Sequence, residues 1–183
     1  MKNIDQIIKT LTLDEKVSLL SGFNSWYTSK IEKKNVPSIK MSDGPNGVRG
    51  DSNSGKSSAC FPCAISIGST WDLPLIKNIG IALGEEAQAK DVDVLLGPTI
   101  NIHRHPLGGR HFESFSEDPF LTGKIATNYV QGVQSKNVAA CLKHFVGNDT
   151  EYERHSISSN IDAQTLREIY LLPFEMGIKE GNA

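Results

Sequence analysis

No apolar run in these 183 residues approaches the ~20 that a helical membrane span takes. Neither charge dominates: 19 Lys and Arg stand against 21 Asp and Glu, a net charge of -2. That balance offers no electrostatic grip on nucleic acid or on an anionic membrane, so neither is expected as a partner. Residues 1–5 hold no apolar signal core, which makes a cytoplasmic location the expectation. Cysteine is sparse. Cys60, Cys63 and Cys141 are an odd number without an export signal, which suits reduced thiols better than a disulfide framework. Cys60-Phe61-Pro62-Cys63 has the spacing of a redox motif, but a Gly/Ser-rich loop precedes it where a strand should stand. Metal ligands are sparse too. His103, His105 and His111 share one loop without a fourth ligand at a recognised spacing, so neither metal nor cofactor is expected. No linker, internal repeat or second domain is visible.

What is present is ordinary globular composition, 38% hydrophobic and 22% charged, enough for one core. Residues 3–22 read as helix, restarted at Thr12 by a capping box with Glu15, carrying Leu11, Val17, Leu19 and Leu20 as an apolar stripe and ending at Gly22. Residues 36–41 read as extended and run into the turn-rich Ser42-Asp43-Gly44-Pro45-Asn46-Gly47. Residues 50–57 satisfy a phosphate-loop pattern, G-x-x-x-x-G-K-S. That pattern needs a helix starting at the lysine, and Pro62 stands against one, so nucleotide binding is not expected.

Residues 64–67 alternate as a strand. Asp72 with Pro74 opens a helix to about Lys90, and residues 91–97 form the next strand. After a long loop, 98–118, Asp118-Pro119 opens a helix to about Lys136. A strand over 138–145 and a helix from Asp162 to about Lys179, kinked at Pro173, complete the pattern. Strands and helices alternate at βα spacing, which predicts an α/β fold with a parallel sheet wrapped by helices. About four strands amount to roughly half of a closed barrel, which takes ~250 residues.

Two stretches carry the chemistry. The run from Val138 to Asp149 is a short apolar strand that delivers Lys143 and His144 together at its carboxyl end, where α/β barrels keep their sites. Neighbours on a regular strand point to opposite faces, so one site served by both requires a bend there, even a cis peptide. The loop from Arg104 to Pro119 is dense in charge, glycine and aromatics. Gly108 and Gly109 permit close approach to a ligand, and Arg110 offers a planar fork suited to vicinal hydroxyls or a carboxylate. Glu113 and Glu117 are placed to pair with Arg104 or Arg110. The alternative for each stretch is a solvated, salt-bridged surface.

Taken together, Ser42-Asp43-Gly44-Pro45, the run from Gly108 to Pro119 and the run from Lys143 to Asp149 resemble the N-terminal part of a glycoside hydrolase family 3 β-glucosidase. The resemblance covers residues 1–183 and implies the N-terminal half of a (β/α)8 barrel, incomplete in this chain, as a partial domain without a second one. It implies that Asp43, Arg110, Lys143 and His144 bind glucose hydroxyls, with Arg104, Glu113 and Arg154 as support. It implies a β-glucoside or oligosaccharide as substrate. It also implies that the nucleophile and the acid/base belong to parts of the family beyond this chain. No catalytic residue is then expected here, and association with the remaining part or with itself is. Two other readings stay open: a non-catalytic sugar-binding or assembly module, and an N-acetyl-hexosaminidase relative. Val146 and Asn148, where those relatives carry proline and histidine, favour the glucosidase.

Overall fold

The computed structural model describes residues 4–50 and 56–183. Two short helices open the chain, α1 (Ile4–Thr10) and α2 (Leu13–Ser21). The break between them is set by local chemistry. Thr12 Oγ1 accepts the Glu15 amide at 3.2 Å, and Glu15 Oε2 accepts the Thr12 amide at 2.8 Å. This capping box satisfies two amides that a helix start would otherwise leave unpaired. The expected apolar stripe is only partly covered: Leu11 is buried, whereas Val17 and Leu20 are exposed.

The sheet is parallel, with β1 (Met41–Asp43), β2 (Val94–Leu96) and β3 (Ala139–Ala140) in sequential order. Met41 sits opposite Val94, and Val94 opposite Ala139. A bridge from Thr99 to Lys143 continues the β2–β3 pairing beyond the strands proper. Three strands therefore stand among the described residues where about four were expected. Residues 64–67 are the correction. They form α3 (Ala64–Gly68), in which Ala64, Ile67 and Gly68 are buried and Ile65 is exposed. Burial at i, i+3 and i+4 is helical spacing, and a four-residue window is too short to separate it from alternation.

The long helices begin where the sequence predicts. In α4 (Leu73–Ala89), Asp72 Oδ1 accepts the Leu75 amide at 2.9 Å. In α5 (Pro119–Gln134), Asp118 Oδ1 accepts the Leu121 amide at 2.7 Å. Both pack on one side of the sheet around Ile76, Leu83, Leu95, Ile125, Val130 and Val133, all fully buried. Each such side chain contributes about 1.5–3 kcal/mol of burial free energy. The two helices touch through glycine: a Cβ at Gly80 would lie 2.5 Å from the Tyr129 carbonyl oxygen. Tyr129 in turn donates its hydroxyl to the Pro45 carbonyl at 2.8 Å, tying α5 to the loop after β1.

The last helix is broken into α6 (Ala163–Thr165), a π-helical turn (Leu166–Tyr170) and α7 (Leu172–Lys179). Pro173 has no amide to give to the preceding turn, and the wider turn, with Leu171 N donating to Leu166 O at 2.8 Å, precedes it. The kink expected at Pro173 takes this form.

The candidate sugar-binding site

The three strands end on one edge of the sheet, and the polar residues that follow them gather there. Asp43 is the last residue of β1. Lys143 lies just beyond β3 and donates Nζ to Asp43 Oδ1 at 2.7 Å. Arg49 Nη1 stands 3.9 Å from the other Asp43 oxygen. Burial alone would raise the Asp43 carboxyl, but the Lys143 hydrogen bond and charge outweigh it and hold the group below its ordinary value.

His144 follows Lys143 across a cis peptide, so the bend expected in this stretch is present. Asn101, from the loop after β2, holds His144 at three points. Its Oδ1 accepts the His144 amide at 2.9 Å and lies 3.1 Å from Nδ1, and its Nδ2 donates to the His144 carbonyl at 3.1 Å. An acceptor at Nδ1 assigns the ring proton there. Nε2 is then left to accept from Arg110 Nη2, 3.2 Å away. Burial, then the charges of Arg110 and Lys143, push the imidazole below its ordinary pKa and keep it neutral at neutral pH.

Arg110 is fixed on its other sides by carboxylates. Its Nε donates to Glu113, and its Nη1 stands 3.6 Å from Glu151 Oε1. Thr99 Oγ1 donates to the second Glu113 oxygen at 3.5 Å. Burial would lower the guanidinium pKa, but Glu113 and Glu151 outweigh that and raise it. Arg154 Nη1 donates to Glu151 Oε2 at 2.9 Å, so Glu151 bridges the two arginines. Asp43, Lys143, His144 and Arg110 thus form one chain of contacts at the carboxyl ends of the strands, with Glu113 directly behind Arg110 and Arg154 one residue further out.

Arg104 stands apart from this chain. Its guanidinium lies 5.7 Å from the Tyr170 ring centroid rather than on Glu113 or Glu117. Burial, followed by a hydrogen bond to Asp149, pushes the Tyr170 hydroxyl up to about 12. Burial also raises the Asp149 carboxyl. Glu117 lies in an apolar groove with Trp71, Phe120 and Lys124, away from both arginines. Its expected pairing is not among the contacts described.

The remaining candidates resolve simply. His103 Nε2 contacts the Ser114 carbonyl and His111 Nε2 the His105 carbonyl, and the His103 and His111 rings lie tilted at 44° with centroids 4.9 Å apart. Among the described residues no group of three or more His, Cys, Asp or Glu is arranged to hold a metal. Cys60 and Cys63 are exposed free thiols. Residues 51–55 of the phosphate-loop match lie outside the described residues; no helix starts at Lys56, whose Nζ donates to the Ala89 carbonyl at 2.5 Å. Among the described residues no helix is long and apolar enough to cross a membrane.

Sequence reasoning missed Asn101, Glu151 and Thr99. Asn101 had a usable signal, a lone amide between Ile100 and Ile102 in the loop that follows the strand. Glu151 had none beyond its distance from Arg154.

The chain is similar to known proteins along nearly its whole length. A Rhizobium radiobacter β-glucosidase is 55% identical over 179 residues, 97% of this chain and 22% of that protein. β-Glucosidase B of Emericella nidulans is 52% identical over 98% of this chain and 21% of its own length. The crystal structure of a Kluyveromyces marxianus β-glucosidase in complex with glucose superposes with a TM-score of 0.94 at 46% identity, covering 98% of this chain and 22% of that one. The chain spans about a fifth of the length of these relatives. Its parallel sheet and intervening helices are part of the (β/α)8 barrel of such enzymes. The family model for the glycosyl hydrolase family 3 N-terminal domain matches residues 2–183, and the chain belongs to that family.

Proposed function

We propose that this chain supplies part of the glucose subsite of a retaining β-glucosidase, as a partial barrel domain spanning residues 1–183. The observation that carries the reading is the contact chain Asp43–Lys143, His144–Arg110 at the carboxyl ends of three parallel strands. Barrel enzymes keep their chemistry at that face. A carboxylate accepts hydroxyl protons, while an ammonium and a guanidinium donate to hydroxyl oxygens. A neutral imidazole held by Asn101 adds a fixed edge between them. Charge-assisted hydrogen bonds of this kind are shorter and stronger than neutral ones, and vicinal hydroxyls are the groups that satisfy several at once.

A retaining glycosidase also needs two carboxyls ~5–5.5 Å apart, a nucleophile and an acid/base. We assign neither role within residues 1–183. Asp43 is engaged by Lys143, Glu113 by Arg110 and Thr99, and Glu117 lies in a separate groove. The substrate is then a β-glucoside or oligosaccharide that binds here and is cleaved by groups supplied from outside this segment. The open edges of a three-stranded sheet call for a partner, either the remainder of such an enzyme or a second copy.

The test uses 4-nitrophenyl β-glucoside with the purified 183-residue chain, and with the chain joined to the remainder of the Rhizobium radiobacter relative. No turnover alone and turnover when joined is the expected result. Turnover by the chain alone would move the nucleophile's role onto Asp43, Glu113 or Glu117. A folded, joined enzyme that neither binds nor cleaves glucosides refutes the reading.

A further inference from the structure

The loop that follows Asp43 is held from below by an ion pair that no sugar would touch. Glu86 lies in the last turn of α4 and Lys90 caps its end one turn on, with Lys90 Nζ 3.4 Å from Glu86 Oε1 and side chains 3% and 15% exposed. Glu86 does not simply neutralise the lysine. Its Oε2 accepts the Val48 amide at 2.7 Å and its Oε1 the Ala59 amide at 2.6 Å. Lys90 Nζ donates to the Val48 carbonyl and to Ser58 Oγ, the latter at 2.5 Å. Both peptide groups of the fully buried Val48 are therefore bound by side chains of one helix turn, as a neighbouring strand would bind them.

Val48 is five residues from Asp43, and the segment between folds tightly back. The Arg49 amide donates to the Asp43 carbonyl at 3.0 Å, and the Gly50 amide to Ser42 Oγ at 2.8 Å. Gly44 and Gly47 carry φ of 122° and 156°, and a Cβ at Gly47 would lie 2.0 Å from the Ala59 oxygen. The two passes of the loop, 44–50 and 58–61, thus cross at contact distance, and the pair clips both.

We propose that Glu86 and Lys90 are positioning residues for Asp43 and Arg49: they fix the loop that aims the sugar-binding carboxylate. This rests on the reading of Asp43 as a sugar ligand. A buried pair that merely filled space would be replaceable by apolar side chains of similar volume, often without loss of stability. Such a replacement here leaves the Val48 and Ala59 amides without their acceptors, while the Val48 carbonyl keeps only its bond from Ser58 Oγ.

The experiment is run in the joined enzyme described above, with Glu86→Gln, Lys90→Met, Ser58→Ala and Asp43→Asn, reading KM, kcat, the inhibition constant for glucose and Tm. Glu86→Gln and Lys90→Met should raise KM and the glucose inhibition constant about tenfold or more, with a smaller change in kcat. Lys90→Arg, which keeps donors at that place, should recover part of the affinity. Should Glu86→Gln or Lys90→Met fail to fold, Ser58→Ala removes a single hydroxyl and carries the same test, with KM raised about threefold at unchanged Tm. Folded variants with wild-type KM and inhibition constant, beside an Asp43→Asn that has lost both, overturn the positioning role alone. An Asp43→Asn that binds glucose normally overturns the reading of Asp43, and the proposal with it.

Discussion

Replacing Asp43 by asparagine separates what the carboxylate does for the fold from what it does for a sugar. In the folded chain Asp43 is 30% exposed and Lys143 15% exposed, 2.7 Å apart. A hydrogen bond to a charged group is worth about 1.5–3 kcal/mol net, and solvent at the half-open Asp43 pulls the stability share toward about 1–2 kcal/mol. The same bond made to a sugar hydroxyl has no such discount once the sugar covers the carboxylate. Losing 1.5–3 kcal/mol there weakens glucose binding roughly 10- to 150-fold, at about 1.4 kcal/mol per decade. Asp43→Asn also leaves the nearly buried Lys143 ammonium without its anion. Adding Lys143→Met should therefore recover most of the lost Tm while recovering none of the affinity. Thermal unfolding and glucose inhibition of the joined enzyme, measured for the two single variants and the double, decide the matter. A double variant that regains affinity along with stability would show that Asp43 acts only through Lys143, and would refute its role as a sugar ligand.

Three other perturbations have definite outcomes. Glu151→Gln removes the charge that bridges Arg110 and Arg154; a KM raised several-fold with little change in Tm is expected from steady-state kinetics. Gly80→Ala forces a Cβ to within 2.5 Å of the Tyr129 carbonyl, and overpacking of that kind costs about 1–3 kcal/mol in chemical denaturation. Acid acts on the groups in opposite senses. The folded pKa of His144 lies below its ordinary 6.5, so the unfolded chain takes up the proton first and stability falls as pH drops below about 6.5. Asp43, also lowered, adds stability above its ordinary 3.8 that is lost as pH falls through its folded value. Asp149 is raised, so its protonation on acidification favours the folded state and partly offsets Asp43. Denaturation series from pH 7 to 3 on wild type and on variants with asparagine at either aspartate test these signs. An Asp149→Asn that is less stable than wild type at neutral pH, with its fold unchanged, would contradict the burial argument.

The features legible in the sequence are those decided within a few residues. Thr12 with Glu15, Asp72 with Pro74 and Asp118 with Pro119 announce helix starts because a cap and its amides are three residues apart. Lys143 and His144 were legible as a pair because both stand at one strand end. Residues 64–67 were misread because period 2 and period 3.6 coincide over so short a window. Residues 138–145 promised a strand of eight, yet only Ala139–Ala140 pair as a strand, with Lys143 bridging beyond. Partners settle how much of an apolar run is laddered, and those partners are distant in sequence. The roles of Glu86 and Lys90 are not legible at all, since nothing in the sequence of α4 itself announces that a loop from 38 residues earlier lies over it. Asn101 reads as a loop residue until His144 is placed beside it.

The Asp43–Lys143 contact joins residues 100 positions apart. The entropy of closing a loop rises only logarithmically with its length, so the contact is affordable, but it depends on the strands that bring its ends together. Helix caps are local, whereas both the α4–α5 packing and the strand pairing join residues about 50 positions apart. The polar cluster is therefore complete only in a chain whose three strands stand side by side. A sugar that binds it selects molecules in which all three strands are already in register.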